Sequence, residues 1–165
     1  MTAGGIQNIG IGIEQAKREG VVEILSRLIS DEQILYTKTR NYHWNVVGSL
    51  FHSLHKLLED QYEVLSEQID NIAERTRSLG APALGTMMEY REHATLSEAP
   101  GYPVAMSMVA NLTADHESII CNLRKDLKEC DERFDDMGTS DFLTGLMEIH
   151  EKMAWMLRSF QQDHV

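Results

Sequence analysis

The segment from residue 43 to residue 74 concentrates side chains that bind transition metals. It contains two histidines, His43 and His55, followed by the carboxylates Glu59, Asp70 and Glu74. Imidazoles and carboxylates are borderline-to-hard ligands, which suit a redox-active divalent metal such as iron, whereas thiolates favour softer ions. The same ligand types do not exclude zinc. The segment therefore predicts a transition-metal site, and the spacing of its ligands sets the geometry of that site.

The spacing divides four of these ligands into two pairs on one predicted helix. Residues 51–79 have helical periodicity, so Glu59 lies one turn after His55, and Glu74 lies one turn after Asp70. The two pairs are 15 residues apart, which corresponds to about 22 Å along a helix axis. One metal ion cannot contact both pairs within one chain. A single site built from both pairs therefore requires a second subunit.

Two antiparallel copies of this helix, crossing near Leu65, would place His55 and Glu59 of one copy beside Asp70 and Glu74 of the other. A twofold axis at the crossing creates two equivalent sites. His43 can join from the preceding helix, because a turn near residues 47–48 brings it within about one helical turn of His55. Each pair alone is also typical of a solvated, salt-bridged helix face, and Trp44 beside His43 is more typical of a core residue. From the residues alone, these alternatives stay open.

The same segment resembles the ferroxidase motif of the Dps family, the small ferritins of starved bacteria and archaea. The resemblance is carried by His43-Trp44-Asn45, His55 and Asp70-x-x-Ala73-Glu74-Arg75. The run from His150 to Arg158 resembles the last helix of that family, and the similarity extends over nearly the whole chain after about residue 15. It implies that the two histidines come from one subunit and the Asp–Glu pair from its twofold mate. Glu59 is a departure, because some members have Asp there.

This resemblance implies an iron-storing and detoxifying ferroxidase. Each intersubunit site would bind two Fe²⁺ ions, with the catalytic ligands His43, His55, Asp70 and Glu74. Glu59 would be a further metal ligand, and Trp44 would support the site from beside it. Hydrogen peroxide, or oxygen, would oxidise the iron, and ferric mineral would collect in a hollow homo-oligomer of twelve subunits. The alternatives are a DNA-compacting protein and a non-catalytic shell that holds zinc.

Acidic residues cluster at the predicted turn between the third and fourth long helices. Asp135, Asp136 and Asp141 are either helix-capping acids in a solvated turn or the lining of an entrance for ions. The family resemblance implies that three subunits meet at this turn, where a ring of carboxylates would attract Fe²⁺. Asp141 is the first candidate, because it lies beside a Thr-rich turn like that of the family.

Composition and charge favour one domain that collects cations. The chain has 165 residues and a formal net charge of −11, which fits a single domain with a sizeable core. DNA binding at physiological salt is disfavoured, because it needs Lys and Arg to neutralise phosphates, and the first 16 residues contain neither.

Cys121 and Cys130 lie about 13 Å apart on one predicted helix, too far for a disulfide. Free thiols fit a cytoplasmic location, and neither a signal peptide nor a membrane span is expected.

Hydrophobic periodicity predicts an all-α, ferritin-like four-helix bundle over residues 13–163, preceded by a flexible arm over residues 1–12. The long helices are expected at residues 13–45, 50–79, 104–130 and 139–161. Gly80 is the expected residue after the end of the second helix, and Pro103 is placed to open the third. The long connection between them allows the crossover of ferritin-like bundles, and residues 86–91 are candidates for a short helix within it.

The remaining histidines are not assigned to metal. A ferritin-like di-iron centre inside one subunit uses Glu-x-x-His motifs, and none of the seven histidines has Glu three residues before it. An intrasubunit di-iron centre is therefore disfavoured. His52, His93, His116 and His164 are predicted to be solvated, and His150 receives no metal role.

Overall fold

The computed structural model describes residues 5–162, which form five helices and no strand. The helices are α1 (Gln15–Asn45), α2 (Phe51–Ser78), α3 (Met87–His93), α4 (Ala105–Glu132) and α5 (Met137–Gln161). Each predicted helix lies within two residues of these bounds, and the all-α four-helix bundle is confirmed. The first four residues of the predicted arm, and His164, lie outside the described residues. In the described part of the chain, no helix is both long and apolar enough to cross a membrane.

The four long helices form two antiparallel hairpins. Helix α1 packs along α2, and α4 packs along α5, through short turns at residues 46–50 and 133–136. The long connection after α2 carries α3, which packs against α1, and returns the chain to α4 beside α1. This single long crossover is the arrangement expected for ferritin-like bundles.

Leucine and isoleucine side chains from all four long helices fill the bundle interior. Leu25, Leu58, Leu112 and Leu146 are each at most 1% exposed, one from each helix. Full burial of such a side chain stabilises the fold by about 1.5–3 kcal/mol relative to leaving it in water. The apolar stripes of the amphipathic helices therefore fix which helix faces point outward.

Helix α2 ends in a hydrogen-bonded turn that requires glycine. Gly80 has φ of 88°, a left-handed conformation in which side chains other than glycine are disfavoured. The amide of Gly80 donates to the carbonyl of Arg77 at 3.0 Å, and that of Ala81 donates to the carbonyl of Thr76 at 3.3 Å. These are the two bonds of a Schellman motif. The amide of Gln7 donates to the Gly80 carbonyl at 2.8 Å, so part of the N-terminal segment contacts this turn.

The two cysteines are free and lie on α4. Cys121 is exposed, whereas Cys130 is buried. Burial raises the pKa of the Cys130 thiol to about 12, with further contributions from nearby carboxylates. Because only a thiolate is strongly nucleophilic, Cys130 is a packing residue rather than a reactive one.

Asp136 begins α5 and joins it to α2. Its carboxylate accepts from the amide and the hydroxyl of Thr139, at 2.9 and 2.6 Å. Arg75 of α2 donates to both of its oxygens, at 2.9 and 3.1 Å. Asp136 is only 2% exposed. Its carboxylate therefore forms buried contacts that connect α2 and α5 at one end of the bundle.

We expect Asp136→Ala to lower the free energy of unfolding by about 2–4 kcal/mol, because it removes a helix cap and leaves Arg75 without its partner. The matched control is Asp135→Asn, since Asp135 is exposed, has φ of 57° and pairs with Lys17 at 3.3 Å. Asparagine tolerates that conformation, so the control should stay within about 0.5 kcal/mol of the parent. Urea unfolding at one fixed protein concentration measures both. Equal effects of the two substitutions would contradict the structural role of Asp136.

Candidate metal centre

His43, near the end of α1, and His55, near the start of α2, hold each other in place across the turn between these helices. Nδ1 of His43 lies 2.8 Å from the carbonyl oxygen of His55, and Nδ1 of His55 lies 2.9 Å from the carbonyl oxygen of His43. A carbonyl oxygen only accepts, so each Nδ1 is the donor, and in the neutral form of each ring Nε2 keeps a free lone pair. This is the arrangement that orients metal-binding histidines.

Aromatic contacts restrict both imidazole rings further. The two rings stack with centroids 3.8 Å apart and an interplanar angle of 19°. The ring of Phe51 stacks on His55 with centroids 5.0 Å apart, and Tyr62 makes an edge-to-face contact with His43 at 5.2 Å. His43 is 6% exposed. The two free Nε2 atoms are therefore preorganised rather than mobile, which favours metal binding.

Trp44 is not a core residue, so the alternative that assigned it to the core is wrong. Its side chain is 62% exposed, because Trp44 follows the buried His43 on the helix and turns away from the bundle. The Arg40 guanidinium lies over its ring at 4.8 Å. A supporting role for Trp44 at the metal site stays a prediction.

Glu59 lies one helical turn after His55 and is paired with a lysine. Its carboxylate accepts from Lys56 at 2.8 Å, and Lys56 also reaches Asp60 at 2.9 Å. The Lys56 ammonium holds the pKa of Glu59 below its ordinary value, and the nearby imidazoles act in the same direction. An ionised carboxylate can bind a cation, and Lys56 competes with such a cation for one of the two oxygens of Glu59.

Asp70 and Glu74 lie on exposed surface further along α2. Helix α2 is continuous from Phe51 to Ser78, so this pair is about 22 Å from His55 and Glu59 in the same chain. Within residues 5–162, no three His, Cys, Asp or Glu side chains are arranged to hold a metal ion. One chain therefore contains two separated ligand groups, each with too few donors for a complete site.

The three acidic residues predicted to form an ion entrance have different environments. Both oxygens of Asp136 have partners inside the bundle, which favours its capping role over ion entrance. Asp135 is exposed at the turn. Asp141 is exposed at the edge of an open groove of about 630 Å³, which Glu74 and Arg75 also line. The structure thus places one predicted entrance residue and one predicted ligand on the same groove.

A second polar cluster, not found from the sequence, lies inside the bundle. His116, predicted to be solvated, is 0% exposed, and its Nδ1 lies 2.9 Å from Nδ1 of His150. Burial lowers the pKa of His116 well below its ordinary value, and His150 adds to that effect. The burial of His116 could have been predicted from the sequence, because His116 lies between Leu112 and Ile119 on the apolar face of α4.

The sequence is similar to those of known ferritin-like proteins. A family model described as a ferritin-like domain matches residues 22–164. An uncharacterised low temperature-induced protein of Nostoc sp. is 51% identical over 92% of this chain and 86% of its own length. The DNA protection during starvation protein 2 of Bacillus anthracis is 39% identical, over 85% of this chain and 95% of its own length.

The fold is similar to those of solved Dps structures. The Dps protein from Vibrio cholerae O1, described as a member of a broad superfamily of ferritin-like diiron-carboxylate proteins, superposes with a TM-score of 0.87 and is 27% identical. The match covers 98% of this chain and 100% of that one. Sequence and fold agree with the motif at residues 43–74, and the chain belongs to the Dps family of ferritin-like proteins.

Proposed function

We propose that this protein is an iron-storing ferroxidase whose metal centre is shared between two subunits. Membership of the Dps family supports a role in iron storage or DNA protection in general. The observation that carries the proposal is the reciprocal contact of His43 and His55, which fixes both tautomers and leaves both Nε2 atoms free.

Iron is the substrate of the proposed reaction. His43, His55 and Glu59 would bind from one subunit, and the Asp70–Glu74 pair would bind from the other. Two Fe²⁺ ions each lose one electron, and one hydrogen peroxide molecule takes both electrons and two protons to give two water molecules. The carboxylates favour the oxidised product, because hard oxygen ligands prefer the more highly charged ion.

The proposed assembly pairs two α2 helices antiparallel about a twofold axis. They cross at the level of Leu65, whose own side chain is buried in its bundle, so the contact uses the opposite, exposed face of α2. The axis creates two equivalent sites from two copies of the same surface. Such dimers would build a closed, cytoplasmic shell of twelve subunits, with ferric mineral inside.

The groove shared by Asp141 and Glu74 supports a path for incoming iron. A negative concave surface raises the local concentration of cations. Asp141 is therefore proposed as the entrance residue and Glu74 as the point of delivery to the ferroxidase site. Arg75 in the same groove is held by Asp136 and Thr139, so its charge is partly neutralised.

DNA binding is the second candidate function, because the Bacillus anthracis relative is named for DNA protection. The net charge of −11 opposes it. We expect no shift of linear DNA in a gel at physiological salt, and at most a weak shift at low salt. A salt-resistant shift would contradict this expectation.

We expect His43→Ala with His55→Ala to slow peroxide-driven Fe²⁺ oxidation by at least about 10-fold, because two metal ligands are lost. The matched control is His52→Ala, since His52 is an exposed histidine on the same helix. Absorbance of the ferric product, with peroxide and with oxygen, measures the rates, and gel filtration verifies assembly. Oxidation at the parent rate in the assembled double variant would contradict the assignment.

We expect Lys56→Met to lower the dissociation constant for Fe²⁺ several-fold, because Lys56 competes with the metal for Glu59 and repels it. Lys128→Met, an equal charge change on an exposed site of α4, should have little effect. Anaerobic Fe²⁺ titration by calorimetry measures both constants. A dissociation constant in Lys56→Met that is not lower than that of the parent would contradict the competition between Lys56 and the metal for Glu59.

A further inference from the structure

Arg40 of α1 is surrounded by aromatic side chains beside the proposed metal centre. Its guanidinium carbon lies 4.8 Å from the ring centroid of Trp44, 5.3 Å from that of Tyr36 and 5.6 Å from that of Tyr62. The Tyr62 ring in turn contacts the imidazole of His43 at 5.2 Å. Cation–π contacts thus hold a positive charge close to a proposed metal ligand.

The guanidinium of Arg40 has spare hydrogen-bonding capacity and no anionic partner in its own chain. It donates to the Tyr36 hydroxyl at 2.8 Å, and its Nε is buried without a hydrogen-bond partner. None of the ion pairs among residues 5–162 involves Arg40 or Asp70. An unpaired positive charge beside the metal centre would repel Fe²⁺. A carboxylate from a second subunit would supply both the missing acceptor and the missing charge.

Arg40 lies on the same side of the bundle as the proposed ligands of α2. Tyr62 comes seven residues after His55, which is two helical turns, so both side chains lie on one face of α2. Because Arg40 lies over the Tyr62 ring and is only partly buried, its guanidinium borders this face. The proposed second α2 helix would approach from that side.

Two contacts between α1 and α2 fix the height of Arg40 along α2. His43 stacks on His55 with ring centroids 3.8 Å apart, and Tyr36 meets Tyr62 edge to face at 6.3 Å. Arg40 lies between these two contacts along α1, and its guanidinium reaches over the Tyr62 ring. The guanidinium therefore lies at about the level of position 60 of α2.

The proposed twofold axis brings a carboxylate to this level. Antiparallel helices that cross at Leu65 match position 60 of one helix, five residues before the crossing, with Asp70 of the partner subunit, five residues after it. Asp70 is exposed in its own chain. We propose that, in the twofold dimer on which the proposed function depends, Arg40 forms an ion pair with Asp70 of the partner subunit.

This ion pair would orient a metal ligand as well as neutralise Arg40. A carboxylate has two oxygens, so one can accept from the guanidinium while the other stays free for the metal. The planar guanidinium is already restricted by the surrounding rings, so little conformational freedom is lost when the pair forms. The twofold axis would form the pair twice in each dimer, once beside each shared site.

Coupling between Arg40 and Asp70 tests the ion pair, because the two side chains can meet only across subunits. Within one chain they are separated by about 15 Å along α2, and changes so far apart normally have additive effects. We expect Arg40→Met and Asp70→Asn each to lower the melting temperature of metal-free, assembled protein by at least about 3 °C. The double variant should melt no lower than the less stable single variant, at one fixed protein concentration.

The matched control is Arg91→Met, which changes an exposed arginine on α3. Its effect should add to that of Asp70→Asn, because Arg91 lies on a different helix from the proposed pair. Additive melting shifts for Arg40→Met with Asp70→Asn as well would overturn the ion pair.

Exchange of the two charges gives a second readout. Arg40→Asp and Asp70→Arg should each weaken assembly, and the double variant should recover both the melting temperature and the size of the parent on gel filtration. No recovery in folded protein would contradict the pair, and if the exchanged protein does not fold, the neutral variants decide alone. The exchanged protein should not oxidise Fe²⁺, because it lacks the Asp70 ligand. The pair and the ferroxidase can therefore fail separately: mixed shells of ligand variants that regain Fe²⁺ oxidation would support the shared site even if the melting shifts are additive.

Discussion

The continuity of helix α2 is the constraint on which the proposed chemistry depends. An uninterrupted helix from Phe51 to Ser78 fixes a separation of about 22 Å between its two pairs of candidate ligands. No side-chain rotation can close that gap. The chain must therefore either leave each pair incomplete or complete both with a second copy of itself. The proposal of a shared site follows from this length, and so does the antiparallel pairing of two α2 helices.

The rest of the fold keeps the ends of α2 rigid. At its start, the tight turn from α1 allows His43 and His55 to donate to each other's carbonyl oxygens. At its end, Gly80 terminates the helix and Arg75 anchors it to the cap of α5 at Asp136. Polar groups buried at both ends thus orient the helix face that carries the candidate ligands. Inside the bundle, the contact between His116 and His150 is a separate polar centre that apolar packing alone does not explain.

Much of the fold could be predicted from the sequence, because helical periodicity and the punctuation at Gly80 and Pro103 are local signals. The metal-ligand segment was also visible, because its spacing is a property of one helix. Tertiary contacts could not be predicted from the sequence. The exposure of Trp44, the engagement of Asp136 by Arg75 and the burial of His116 each depend on a neighbouring helix. Polar residues in particular are ambiguous, because a partner on another helix can make burial favourable.

Complementation between subunits tests the shared site most directly. A His43→Ala/His55→Ala protein and an Asp70→Asn/Glu74→Gln protein, each inactive alone, are dissociated, mixed equally and reassembled. A mixed dimer has one site with both damaged halves and one intact site, so random pairing should restore about one quarter of the sites. The account predicts Fe²⁺ oxidation at about that fraction of the parent rate. No recovery, with mixed dimers verified by native mass spectrometry, would contradict it.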